Sequence, residues 1–159
     1  MSTSDLQIVI FQLGGEEYAF PVSCVQEIQG YDQLSPPRAL PQAPPFLEGM
    51  INLRSTILPV IDLQRRFGGE RIQPGRSTRY IIVELGHERL AVLVDAVREV
   101  IRIPVATLQA PPPRFRALVQ ERYISAIGRL PGSPERLVVM LDAQQLLDPA
   151  ELQQLAKLG

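Results

Sequence analysis

Apolar residues in this chain come in short runs rich in Val and Ile, each closed by turn residues. Leu6–Leu13 has strand length and predicts a first β-strand. Gly14-Gly15-Glu16 predicts the turn into a second strand over Glu17–Val22. Val25–Tyr31 is expected to begin as a helical turn and continue extended. Leu34–Pro45 predicts a loop, because Pro36-Pro37, Pro41 and Pro44-Pro45 deny both helix and central strand. Leu47–Leu53 and Ile57–Ile61 pattern as a hairpin across Arg54-Ser55-Thr56. Asp62 is placed to cap a short helix over Leu63–Phe67, which Gly68-Gly69 ends. Glu70–Ser77 is a polar linker.

The second half repeats this plan. A shift of 72 places Leu13 on Leu85, Gly14 on Gly86, Ala19 on Ala91, Val22 on Val94, Val25 on Val97 and Glu27 on Glu99. A shift of 80 places Ile57–Asp62 on Leu137–Asp142 and Gln64 on Gln144. The extra 8 residues of the second copy are expected in the stretch that holds Pro111-Pro112-Pro113. Two copies of one unit, mostly strands closed by a short helix, imply two similar small β-modules. Their boundaries fall at about 6–69 and about 78–147. Curling into small barrels would remove their strand edges.

After the second copy comes a helix over about 149–158. Asp148 suits the N-cap, Pro149 the first helical position and Glu151 the third, as in a capping box. Leu147 and Leu152 are spaced for a hydrophobic staple, and Leu152, Leu155 and Leu158 form one apolar stripe.

At 159 residues and 17.7 kDa, with 45% hydrophobic and 21% charged residues, the chain can bury a core without staples. Its single cysteine, Cys24, excludes an intramolecular disulfide. A formal net charge of -1 gives no field to draw nucleic acid or anionic membrane. Neither a basic leader nor a run of about 20 apolar residues is present, so a cytoplasmic protein is expected.

Candidate chemistry is sparse. His87, the only histidine, sits in the turn Gly86-His87-Glu88 without a nucleophile or orienting carboxylate beside it in sequence. Cys24 aligns with Ala96 in the repeat, which suits a small half-buried position rather than a reactive thiolate. Asp62 and Asp142 occupy equivalent strand ends, where helix capping accounts for both without acid–base work. His87 and Cys24 together cannot supply a metal ligand set. No catalytic residue, cofactor or metal is therefore expected. Phe11, Tyr18, Phe20 and Tyr80 lie on strands, as on a barrel that binds single-stranded nucleic acid, and that is the alternative function. Core packing accounts for them better. On the surface, Arg54 stands beside a hairpin tip after Asn52-Leu53, flanked by Met50 and Ile51, where an arginine can anchor an interface.

These residues carry a resemblance. Val25-Gln26-Glu27-Ile28-Gln29-Gly30-Tyr31-Asp32-Gln33 is followed by Pro44-Pro45-Phe46-Leu47-Glu48-Gly49, then Asn52-Leu53-Arg54 and Ile57-Leu58-Pro59-Val60-Ile61-Asp62-Leu63. The second half continues with Leu85-Gly86, Val92-Leu93-Val94-Asp95 and 124–128. Their order and spacing resemble the CheW family of chemotaxis coupling proteins over roughly Gln7 to Leu155. The resemblance implies one CheW-like domain across 1–159, mainly β, with two similar SH3-like five-stranded barrels sharing a core, short helices and the C-terminal helix. It implies a non-catalytic adaptor that joins the cytoplasmic tips of methyl-accepting chemoreceptors to the regulatory domain of the histidine kinase CheA. Such a protein would be recruited from the cytoplasm to membrane-associated receptor arrays. Carried over by motif, Val25, Glu27, Gly49, Asn52 and Arg54 fall at receptor- or kinase-binding positions. Ser55 stands where the family often has glycine.

Overall fold

The computed structural model describes residues 4–113, 123–130 and 136–158, with the backbone alone over the last three of these. Its strands are β1 (Asp5–Leu13), β2 (Glu16–Pro21), β3 (Val25–Gly30), β4 (Leu47–Leu53), β5 (Thr56–Asp62), β6 (Arg79–Leu85), β7 (Glu88–Val94), β8 (Ala96–Pro104), β9 (Leu108–Gln109), β10 (Ile124–Leu130) and β11 (Arg136–Leu141). Two α-helices are described, α1 (Leu63–Arg66) and α2 (Pro149–Leu158). The expected helical turn at the head of β3 lies just before it, over Val22–Cys24, and Val25 is already extended.

One sheet runs β3-β6-β7-β5-β4 and the other β8-β1-β2-β11-β10-β9. With β1 matched to β6, β2 to β7, β3 to β8, β4 to β10 and β5 to β11, the two orders are the same, and β9 adds a short sixth strand. The irregularities repeat as well. Register shifts between Val25 and Glu27 recur at the partner pairing Phe11↔Val97, Ile10↔Glu99, and the shift between Leu47 and Gly49 recurs between Ile124 and Ala126. Bulges at matching places bend both sheets alike.

The sheets do not keep the boundaries of the sequence repeat. The expectation of modules at about 6–69 and 78–147 is corrected here, because each sheet takes strands from both halves. Hairpin β1–β2 completes the sheet of the second half, and β6–β7 completes that of the first. The reason is burial on two faces. Ile8 and Ile10 of β1 pack with Ala19, Ile103, Leu130, Val138 and Met140, while Phe11 and Leu13 join the larger core with β6 and β7. A strand covered on both faces reads as a continuous apolar run, as Leu90–Val94 does.

Matching the registers also relocates the insertion. β4 and β10 align at a shift of 77, since Leu47↔Ile61 corresponds to Ile124↔Leu141, and β5 and β11 align at 80. Five of the extra residues therefore precede β10 and three lie in the connection 131–135, instead of all 8 falling around Pro111–Pro113. Residues 114–122 and 131–135 lie outside the described part.

The capping expectations match the geometry, with one difference. Asp62 Oδ1 accepts from Arg65 N at 3.1 Å and starts α1. Asp142 Oδ1 accepts from Gln144 N at 3.0 Å, but there the chain makes a 3-10 turn, Ala143–Gln145. At α2 the capping box is complete: Glu151 N donates to Asp148 Oδ1 at 2.8 Å and Asp148 N donates to Glu151 Oε1 at 2.9 Å. Leu152 and Leu155 pack this helix on the shared core; the side chain of Leu158 lies outside the described part.

Candidate interaction site

Strands β3 and β4 stand at opposite ends of their sheet's order, yet Glu27 of β3 is ion-paired with Arg54 at the β4–β5 tip. Only a sheet curled back on itself brings those positions together, as a small barrel does. Gln29 Nε2 donates to the other carboxylate oxygen of Glu27 at 2.7 Å. Hydrogen bonds from Arg54 and then Gln29, helped by the charges of Arg54 and Arg89, hold the Glu27 carboxyl below its usual range against the opposing pull of burial. Residues 27 and 29 share a strand face, so the spacing held that signal. Gln26 extends the polar row, donating to Glu84 Oε2 at 2.6 Å and accepting from Arg89 at 3.3 Å.

The conformation of the tip has a local cause. Arg54 and Ser55 both have positive φ, 47° and 71°, as a two-residue hairpin turn of the right twist demands. Ser55 takes the conformation glycine would supply, and Asn52 Oδ1 accepts from its N–H at 2.9 Å. Asn52 is thus the brace of the turn. The Arg54 side chain is 67% exposed.

The five positions singled out from the sequence fall into three settings. Val25 and Glu27 lie half-buried on edge strand β3. Asn52 and Arg54 lie exposed at the β4–β5 tip, in reach of Glu27. Gly49 is buried on the bulge of β4, against the loop that precedes it, and does not touch the ion pair.

A cleft of about 550 Å³ opens at the junction of the two sheets, lined by Pro21, Cys24, Glu84, Leu141, Asp142 and Gln144 among others. Cys24 Sγ donates to Pro21 O at 3.2 Å, and burial pushes its thiol up to about 11. A thiol so held is unreactive near neutral pH. His87 is exposed on its turn. The carboxylates of Asp62 and Asp142 are engaged as caps. Among the described residues no three His, Cys, Asp or Glu side chains converge on a metal position. Phe11, Phe20 and Tyr80 are fully buried, and Tyr18 is half-buried against Phe67 at 5.7 Å between centroids. They offer no stacking platform, which removes the basis of the nucleic-acid alternative.

The fold is two pseudo-symmetric curled β-sheets, one of which brings Glu27, Gln29, Asn52 and Arg54 together at a strand edge and a hairpin tip. Comparison with known proteins makes this specific. The family model for the CheW-like domain matches residues 7–151. The chemotaxis protein CheW of Klebsiella aerogenes is 32% identical over 146 residues, covering 92% of this chain and 84% of that relative. CheW of Treponema pallidum is 31% identical over 162 residues, covering 99% and 91%. The crystal structure of the scaffolding protein TtCheW from Thermoanaerobacter tengcongensis superimposes with a TM-score of 0.81 at 31% identity, covering 91% of this chain and 94% of that one. The chain belongs to the CheW-like domain family.

Proposed function

We propose that this protein is a non-catalytic scaffold that couples chemoreceptor cytoplasmic tips to the regulatory domain of the kinase CheA. The observation that carries this reading is the family match over residues 7–151, in a chain whose relatives are described as chemotaxis and scaffolding proteins. The ion-paired cluster at the β3 edge and the β4–β5 tip supports a location for it. Val25 and Glu27 on the β3 edge, with Asn52 and Arg54 at the tip and Gly49 behind them, form the partner-binding face. The cleft at the sheet junction is a second surface open to a helical tip. No described helix is long and apolar enough to cross a membrane, and the scaffold works in the cytoplasm, reaching receptor arrays through its partners.

Arg54→Ala tests this. The ion pair it removes is exposed, so its loss should cost no more than about 1 kcal/mol and leave the melting curve nearly unchanged. Affinity for a purified kinase regulatory domain or receptor tip fragment should fall by about 2 kcal/mol or more. Arg54→Lys should restore part of it if the planar guanidinium makes the contact. Unchanged affinity for both partners would remove Arg54 from the interface. A wild-type protein that binds neither partner would sink the adaptor reading itself.

A further inference from the structure

The ion pair of Glu27 and Arg54 has a second cation beside it. Gln26 is the extra residue of the bulge in β3, between Val25↔Val83 and Glu27↔Ile82. Its side chain accepts from Arg89 of β7 at 3.3 Å and donates to Glu84 Oε2 at 2.6 Å. Glu84 stands opposite Arg89 across the β6–β7 pairing and spends that oxygen on Gln26. The long bond to a neutral amide oxygen is the one Arg89 makes among the described residues, with no ion pair. Its charge acts on Glu27, where it joins Arg54 in favouring the ionised carboxylate.

The repeat shows what this arrangement changes. A shift of 72 places Glu17 on Arg89 and Glu27 on Glu99. In the second sheet two carboxylates, Glu17 and Glu99, share one arginine, Arg136. In the first sheet two arginines attend one carboxylate. Two acceptors fix a guanidinium, whereas two cations compete for a glutamate and repel each other.

The competition bears on Arg54. Its side chain is 67% exposed, and its described bond is the one to Glu27, whose other oxygen is held by Gln29. To meet a partner with its planar fork of donors, Arg54 has to give up Glu27. The Glu27 side chain is only 24% exposed, so stripping it of its cation is costly. A second positive charge close by lowers that cost and weakens the hold on Arg54 at the same time.

We infer that Arg89 is a positioning residue for partner binding: it compensates Glu27 from β7, so that Arg54 can leave that carboxylate for an anionic group of the partner. This rests on the adaptor reading above.

The test compares wild type, Arg89→Gln and Arg89→Lys, each with and without Arg54→Ala. Glutamine keeps a donor for Gln26 and removes the charge; lysine keeps the charge. All should melt alike, as surface variants do. In the free proteins, NMR titration of the Glu27 carboxyl should move upward in Arg89→Gln and return in Arg89→Lys, a readout that a merely structural role would not shift. Affinity for the kinase regulatory domain or the receptor tip fragment should fall by about threefold in Arg89→Gln and recover in Arg89→Lys. With Arg54→Ala present, Arg89→Gln should cost no further affinity, because it acts through Arg54. An equal loss in that background would make Arg89 a direct partner contact and overturn the inference. An unmoved Glu27 titration would overturn it, and so would full affinity in Arg89→Gln. Should Arg54→Ala bind too weakly for comparison, the titration and the affinities of the single variants decide. If wild type binds neither partner, the adaptor reading fails and this inference with it, while the titration still shows whether Arg89 compensates Glu27.

Discussion

Asp62 and Asp142 occupy equivalent caps, and the structure makes their removal unequal. Asp62 is fully buried. One carboxylate oxygen accepts from Arg65 N at 3.1 Å, and the other accepts from Ile72 N at 2.8 Å, ten residues along in the linker after α1. Asp142 is half-buried, and its described bond is to Gln144 N. Asp142→Ala should therefore cost the ordinary cap loss of about 0.5–2 kcal/mol. Asp62→Ala loses that and also strands the Ile72 N–H in the interior, worth about 1–3 kcal/mol more. The loss is partly offset because the alanine leaves no carboxylate to desolvate, so about 2–4 kcal/mol in total is expected. Urea denaturation reads the difference as a shift of midpoint at unchanged slope. pH supplies a second arm. Burial, opposed by the two N–H donors, leaves the Asp62 carboxyl above its usual range. A raised folded pKa gives stability that is fully present below the unfolded value of about 3.9 and is lost as pH rises through the folded value. The stability of wild type relative to the non-titrating Asp62→Asn should accordingly decline as pH rises through that window. Asp62→Ala costing no more than Asp142→Ala would refute the double role, and a gap that widened with rising pH would refute the burial argument.

Two further outcomes follow from ion pairs. Arg66, only 9% exposed, reaches Glu151 of α2 through two bonds of 2.8 and 2.6 Å and lies 4.4 Å over the Phe46 ring, so Arg66→Ala should cost about 3 kcal/mol and loosen α2 first. In a double-mutant cycle with Glu151→Ala the two losses should not add; additive losses in chemical denaturation would deny the clasp. The hydrogen bond from Arg136 leads the effects that hold Glu17 below its usual range, so the stability this pair gives is present above the unfolded carboxylate value and lost as pH falls through the folded one. Glu17→Gln should thus be less stable than wild type at pH 7, with the gap closing in acid; a gap independent of pH would show that the pair does not contribute.

Local features of this fold were legible in the sequence because they are made by neighbours in the chain. Caps and the capping box of α2 depend on residues within three or four positions, and Asp62, Asp142 and the Asp148–Glu151 pair all cap as expected, although Asp142 starts a 3-10 turn in place of a helix. Pairings across the chain were not legible. The exchange of hairpins between sheets rests on contacts such as Val60↔Ala91 and Met140↔Ala19, and the continuous apolar run of β7 signalled two-sided burial without saying what covered it. Ile72 sits in a stretch of polar residues and is nevertheless buried, because Asp62 holds its N–H and Arg71 is bonded to Glu48. In the site, Asn52 and Arg54 announced a hairpin tip. That Glu27 meets Arg54 required knowing how the sheet curls, and that the Arg38 backbone lies against Gly49 required the path of the loop before β4.

The pseudo-symmetry also separates what the scaffold needs from what one face adds. Glu27 and Glu99 are equivalent, and each faces an arginine of the β4–β5 or β10–β11 hairpin. In the second sheet that arginine, Arg136, is held mainly by Glu17 through two 2.6 Å bonds and is 30% exposed. The first sheet has Arg89 where the second has Glu17, so the same clamp cannot form: a cation there repels Arg54 instead of holding it. Arg54 is left 67% exposed at the end of a two-residue turn, tethered by Glu27 alone among the described contacts. Arg136 falls on Thr56 by the shift of 80, not on Arg54, so the two equivalent glutamates are met from different hairpin positions, and only in the first sheet is the arginine left mostly exposed. The difference lies in one reversed charge on β7 and a shorter hairpin, and it gives the two barrels unequal surfaces on a common frame.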